Sequence, residues 1–250
     1  HVAPPIIKNI KDSRDALDFF EMVSLPAEDE RTQEIIRNFP TVYIHNWEED
    51  GEYEVYVGES NDIFKRTRQH YDLSFDRSRW QSRLAEKNAS LFIIGHEHFN
   101  KSLTLDIENR LMHYMMSVEC VKHLHNLRDN PQASYYPMEE LDEIFGKIWK
   151  GLRKENGILF PAESAIKDSA IYKASPLHKL TKDQERAKDL IIEKVAKARK
   201  SGEAKQLIFI DGEAGTGKTV LNSSTFYELY CMAEEDRKST RLNSSHTPQS

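Results

Sequence analysis

The run Gly212-Glu213-Ala214-Gly215-Thr216-Gly217-Lys218-Thr219 satisfies G-x-x-x-x-G-K-[ST]. A loop of this kind cradles phosphates with its backbone N–H groups, brings a lysine to the β/γ oxygens and offers a hydroxyl to Mg²⁺. Here Lys218 and Thr219 take those two places, with Gly212, Gly215 and Gly217 shaping the loop. A second set of chemically capable residues lies earlier. Tyr43 sits inside Val42-Tyr43-Ile44, and Tyr56 inside Val55-Tyr56-Val57-Gly58. Lys65-Arg66-Thr67-Arg68-Gln69-His70 follows, and its spacing puts Arg66 and His70 on one helix face. Glu108 comes later, inside Ile107-Glu108-Asn109-Arg110-Leu111. Hydrolysis of a phosphodiester needs an activated nucleophile, charge neutralisation at the phosphate and a stabilised leaving group.

The elements that must position these residues can be read from periodicity. Residues 11–38 read as helical, broken by Pro26 into two short helices. Strands are expected at about 41–47 and 53–58, joined by a turn at Asp50-Gly51. Ser60-Asn61-Asp62 offers an N-cap to a helix over about 62–73. The continuous apolar run Leu91-Phe92-Ile93-Ile94 predicts a strand buried on both faces. Residues 103–118 predict an amphipathic helix, with Leu105, Leu111, Met112, Met115 and Met116 in its apolar stripe. Beyond Pro131 come a connecting helix over 139–154, a linker bracketed by Pro161 and Pro176, a charged helix over about 181–200 and a strand at 206–211 ahead of the phosphate loop.

The ordered set of hairpin, Arg66, His70 and Glu108 resembles the GIY-YIG nuclease family over residues 40–130. The resemblance implies that Tyr43 and Tyr56 hold the two tyrosine positions, one of them as general base. It implies that Arg66 contacts the scissile phosphate, that His70 stands beside it, and that Glu108 holds one Mg²⁺ or Mn²⁺ together with waters. The family's late asparagine falls on Asn126 or Asn130, with Asn126 preferred. The first motif reads Val-Tyr-Ile, its tyrosine one position earlier than in Gly-Ile-Tyr, and a one-residue shift on a strand reverses the side-chain face. Upstream of the phosphate loop, Leu180-Thr181-Lys182-Asp183-Gln184 resembles the glutamine segment of superfamily 1 helicases, which implies that Gln184 holds the adenine of ATP. The whole arrangement is similar to bacterial proteins joining a GIY-YIG nuclease to a Schlafen-like DNA/RNA helicase domain.

The expected fold class is therefore α/β, with a small mixed sheet and flanking helices, then a helical linker and the opening of a P-loop NTPase. The expected divisions are an N-terminal helical segment at 1–39, the nuclease domain at 40–130, the linker at 131–178 and the helicase opening at 179–235. The last stretch, 236–250, resembles translated sequencing-adapter read-through and is expected to be non-native. The chain begins with His1, so it is expected to start inside a longer reading frame.

Hydrophobic content of 38% and charged content of 30% suit a globular chain. No apolar run is long enough to span a membrane. Two distant cysteines, Cys120 and Cys231, argue for a reducing, cytoplasmic setting. The net charge of -6 gives no global attraction to nucleic acid, so any basic surface must be local. Lys65, Arg66, Arg68, Arg77, Arg79 and Arg83, interleaved with Tyr71, Phe75 and Trp80, supply such a surface, and DNA is favoured over RNA as the partner. His96-Glu97-His98 and Cys120-x-x-His123-x-His125 lack the spacing of a standard zinc finger and read as surface histidines and a buried cysteine. Two other readings are a degenerate nuclease module that only docks nucleic acid, and an NTPase acting on a protein partner.

Overall fold

A computed structural model describes residues 2–72, 80–84, 88–125, 138–202 and 207–244. The chain divides into two compact units, His1–Ser169 and Ala170–Ser250.

The first unit is an α/β fold around a five-stranded mixed sheet in the order β1-β4-β2-β3-β5. Its strands are β1 (Ile6–Lys11), β2 (Thr41–Glu49), β3 (Glu52–Ser60), β4 (Ala89–Gly95) and β5 (Val121–Leu124). All neighbours run antiparallel except β3 and β5, which are parallel. The β2–β3 hairpin closes on Asp50 and Gly51, both with positive φ (54° and 81°), as the turn matching strand twist requires. Central β2 is buried from Thr41 to Trp47, and its β-branched and aromatic residues suit a strand covered on both sides.

One face of the sheet carries α1 (Arg14–Phe19), a π-helical turn (Phe20–Ser24), a 3₁₀ turn (Leu25–Ala27), α2 (Glu30–Asn38) and α3 (Ile63–Asp72). Leu17, Phe20, Leu25, Ile35, Ile63 and Phe64 join Tyr43, Trp47, Leu91 and Ile93 in its core. A short α4 (Gln81–Leu84) follows α3 in sequence. α5 (Lys101–Met115) and α6 (Met138–Glu155) contribute a second set of buried side chains, including Leu103, Ile107, Leu111, Phe145 and Trp149. A short α7 (Glu163–Asp168) ends the unit.

Two sequence expectations need correction here. The N-terminal segment is not only helical, because Ile6–Lys11 forms edge strand β1 against β4. With Lys8, Asn9 and Lys11 on so short a strand, its apolar signal is thin. The break expected at Pro26 is present, between α1 with its π-helical turn and α2. Pro26 lies in the 3₁₀ turn, and Asp29 caps α2 by accepting from Thr32 N at 2.9 Å. The connecting helix α6 belongs to the first unit, where Ile144, Ile148 and Trp149 are fully buried.

The second unit contains α8 (Ala170–Lys173), α9 (Lys182–Ser201) and α10 (Lys218–Ser244). Thr181 and Gln184 form a capping box at the start of α9, and Gly202 ends that helix in the left-handed region. The strand expected at 206–211 is not formed among its described residues: Leu207 and Phe209 are exposed, with no strand partner to pair them. α10 runs on into the stretch expected to be non-native. Among the described residues no helix is long and apolar enough to cross a membrane.

Ile44, fully buried at the centre of β2, anchors the sheet. Ile44→Ala is expected to lower the stability of the first unit by about 2–5 kcal/mol in urea unfolding.

Candidate active site

Strand register brings the two tyrosines together. Tyr43 on β2 pairs with Gly58 on β3, and His45 pairs with Tyr56. Paired residues share a sheet face, so Tyr43, His45 and Tyr56 point the same way. The face reversal implied by a displaced first motif is absent. The rings of Tyr43 and Tyr56 lie 6.2 Å apart at 23°.

Gly58 is what admits Tyr43. A Cβ there would stand 2.5 Å from both Cζ and Oη of Tyr43. Without a side chain, β3 lets the phenol lie across its backbone and reach α3. There Tyr43 Oη meets His70 Nε2 at 3.1 Å, in a buried contact. Asp62 starts α3 by accepting from Lys65 N at 2.9 Å, so the cap falls on the last of the three expected residues.

Burial decides the electrostatics of this group. It pushes the Tyr43 phenol well above its ordinary value, Tyr56 adds to that, and Arg66 opposes it. Burial also lowers His70 to about 3, helped by His45 and Arg66. His70 is therefore a neutral imidazole near pH 7 and a weak base, since burial disfavours its imidazolium. Burial works against the charge of Arg66, but the phenols of Tyr43 and Tyr56 outweigh it and hold the guanidinium above its usual range. Tyr43, Tyr56, Arg66 and His70 thus form one group, with Trp80 stacked on Tyr56 at 4.4 Å between ring centres.

Glu108 stands in a different setting, on α5. Burial pushes its carboxyl up to about 7, Glu59 adds to the shift, and Lys101 opposes it. Lys101 is ion-paired with Glu59, and Thr104 Oγ1 donates to Glu59 Oε2 at 3.4 Å. Glu59 follows Gly58 directly, so it points to the opposite sheet face from Tyr56. Among the described residues β5 pairs with β3 at Tyr53–Val55. The tyrosine group and the carboxylate pair lie toward the other end of β3, on opposite faces of the sheet. Among the described residues no group of three His, Cys, Asp or Glu could hold a metal. Two adjacent carboxylates, one held partly protonated first by burial and then by the other's charge, still fit a hard cation that keeps most of its waters. Asn126 and Asn130 lie outside the described residues.

The basic patch is smaller than its sequence. Arg68 is bound to Asp18 at 2.7 Å and to Glu21, and Tyr71 is buried. Phe75, Arg77 and Arg79 lie outside the described residues, as does the side chain of Arg83. Lys65 and Arg66 are the exposed cations left on α3. His96 is buried rather than at the surface and bonds to Ala3 O at 3.0 Å, while Cys120 is only half-buried. Sequence reasoning missed a buried pair behind the tyrosines, Asp12 and His45, whose Oδ2 and Nδ1 lie 2.5 Å apart. The two-residue spacing of Tyr43 and His45 was the available signal.

In the second unit the phosphate loop has Gly215 (φ 82°) and Gly217 (φ 78°) in the left-handed region, as its tight path requires. Lys218 Nζ donates to Gly212 O at 2.6 Å and Glu213 O at 2.7 Å, across the mouth of the loop. Thr219 lies in the first turn of α10. Gln184 is drawn to the loop rather than left open: Nε2 donates to Thr216 O at 2.9 Å, and Oε1 accepts from Thr181 N at 2.9 Å.

No protein-family model, curated protein or solved structure matches this chain.

Two outcomes follow from the geometry. Gly58→Ala is expected to cost about 1–3 kcal/mol through overpacking against Tyr43. In a double-mutant cycle with Tyr43→Ala, most of that cost should vanish, whereas additive effects would contradict the contact. His70 is depressed in the folded chain, so its contribution to stability is complete above about pH 6.5 and is lost as pH falls toward 3. His70→Gln should therefore flatten the pH dependence of urea unfolding by a few kcal/mol across that window.

Proposed function

We propose that the first unit hydrolyses phosphodiester bonds in nucleic acid, DNA in preference to RNA, with the help of a divalent cation, in the manner of GIY-YIG nucleases. The observation that carries this reading is the buried contact between Tyr43 Oη and His70 Nε2, made possible by Gly58 and set beside Arg66. A phenol with so high a proton affinity is not a standing phenolate. It can act as a base only if its proton goes to Nε2 of His70 while the Nδ1 proton of that ring leaves, so that no buried imidazolium is formed as the phenol takes a proton from an attacking water. Arg66, exposed on α3, is placed to neutralise charge growing on the phosphate. Tyr56 holds the guanidinium in place and completes the wall of the site. Glu108, with Glu59 beside it, would hold Mg²⁺ or Mn²⁺. A bound cation there would stabilise charge on the phosphate and on the leaving oxygen.

The second unit is read as a phosphate-binding element for ATP. Gly212, Gly215 and Gly217 shape the loop, Lys218 and Thr219 meet phosphate and Mg²⁺, and Gln184 braces the loop. The intact function is then nucleic-acid cleavage joined to ATP-driven strand separation.

The test is nicking of supercoiled plasmid by the full chain with Mg²⁺ or Mn²⁺. Tyr43→Phe and Glu108→Ala should each lower the rate at least about 100-fold while the chain stays folded by circular dichroism. Equal cutting by both variants would remove the catalytic assignment. Salt-sensitive binding without any cutting would favour a docking module.

A further inference from the structure

A buried polar chain runs on behind the Tyr43–His70 contact. Asp12, just past the end of β1, and His45, on β2, have fully buried side chains. Tyr71 Oη donates to Asp12 Oδ1 at 2.8 Å, while Asp12 Oδ2 faces His45 Nδ1 at 2.5 Å. His45 and His70 lie 5.2 Å apart between ring centres, at 80°. His45 Nε2 and His70 Nδ1 are both buried with no hydrogen-bond partner among the described residues.

Donor and acceptor bookkeeping links these two nitrogens. An ionised carboxylate only accepts, so His45 Nδ1 carries a proton, and in the neutral ring Nε2 is then an acceptor. If His70 Nε2 accepts from Tyr43, the proton of neutral His70 sits on Nδ1. The open positions are thus a donor on His70 and an acceptor on His45, and burying either one unmet costs free energy. Other titratable or charged groups around the pair are Tyr43 on β2, Tyr56 on β3, Arg66 and Tyr71 on α3, and Arg14 and Asp18 near Tyr71 on α1.

We propose that Asp12 and His45 are positioning residues that extend the Tyr43–His70 contact into a proton relay, with His70 Nδ1–H meeting His45 Nε2 across one water. The relay rests on the nuclease reading above. Tyr43 Oη gives its proton to His70 Nε2 while His70 Nδ1 gives its own to His45 Nε2. The phenolate, beside Arg66, takes a proton from the attacking water and is restored. The hydroxide oxygen forms its bond to phosphorus as the bond to the leaving oxygen breaks, the electron pair going to that oxygen, which is protonated by solvent. His45 is left as imidazolium against the Asp12 carboxylate and later returns its proton to solvent. Asp12 has a defined part here: it fixes the tautomer of His45 and stabilises the charge that arrives.

Two measurements on the full chain test this. Long-range ¹H–¹⁵N spectra of the imidazoles at pH 7 should show His45 and His70 both protonated at Nδ1, and Tyr43→Phe should shift the His45 Nε2 resonance. Protonation of either ring at Nε2 alone, or a His45 signal blind to Tyr43→Phe, would overturn the relay whether or not the chain cuts DNA. In plasmid nicking, Asp12→Asn should lower the rate at least about 100-fold. It should also release the His45 tautomer, so that the ring is no longer protonated at Nδ1 alone in the ¹H–¹⁵N spectra. A loss of rate with the His45 tautomer unchanged would mark Asp12 as merely structural and contradict the proposal. Failure of the wild-type chain to cut, with both rings protonated at Nδ1, would count against the nuclease reading alone.

Discussion

The hydroxyl end of Tyr43 lies across the backbone of Gly58, and the geometry of the site follows from that approach. Any side chain at 58 would overlap the phenol, since even a Cβ would stand 2.5 Å from its oxygen. Because β2 and β3 pair in one register, this crossing also fixes His45 opposite Tyr56. It sets how deep α3 must sit for His70 to reach Tyr43. The Asp50-Gly51 turn holds that register, because a two-residue loop with both residues in the left-handed region leaves little freedom to slip.

The same burial that builds the core sets the chemistry. Tyr43 and His70 are nearly inaccessible, so each is pushed toward its neutral form. His70 yields its charge, whereas His45 keeps a carboxylate neighbour in Asp12. Arg66 is a guanidinium and stays charged; burial opposes its charge, and the two phenols facing it more than offset that. On the other sheet face, Glu108 and Glu59 bring two carboxylates close together, with Lys101 as their nearby cation. The tyrosine group with Arg66 and the pair of acids thus lie toward one end of β3, on opposite faces of the sheet.

Much of this was legible in the sequence, for definite physical reasons. The apolar runs of β2 and β4 and the Asp-Gly turn announce the central sheet, and the Arg66–His70 spacing announces a shared helix face. β1 was hidden because Lys8, Asn9 and Lys11 dilute its apolar content. The use of Arg68 by Asp18 and Glu21 could not be read locally, since the partners lie about 50 residues away in sequence. Asp12 and His45 were hidden for the same reason: their pairing depends on β1 joining the sheet. The strand expected at 206–211 shows the converse limit, because an apolar run specifies a strand only where another strand is present to pair with it.

The most direct test of the proposal that the tyrosine group and Glu108 serve one phosphate near Gly58 is a crystal structure of the full chain with Mn²⁺ and a short DNA strand carrying a non-hydrolysable phosphorothioate. Anomalous scattering locates both manganese and sulfur. The account expects manganese bound by Glu108 and the phosphorothioate in contact with Arg66 and Tyr43, both close to Gly58. Manganese bound elsewhere, or DNA lying away from the tyrosine pair, would contradict it.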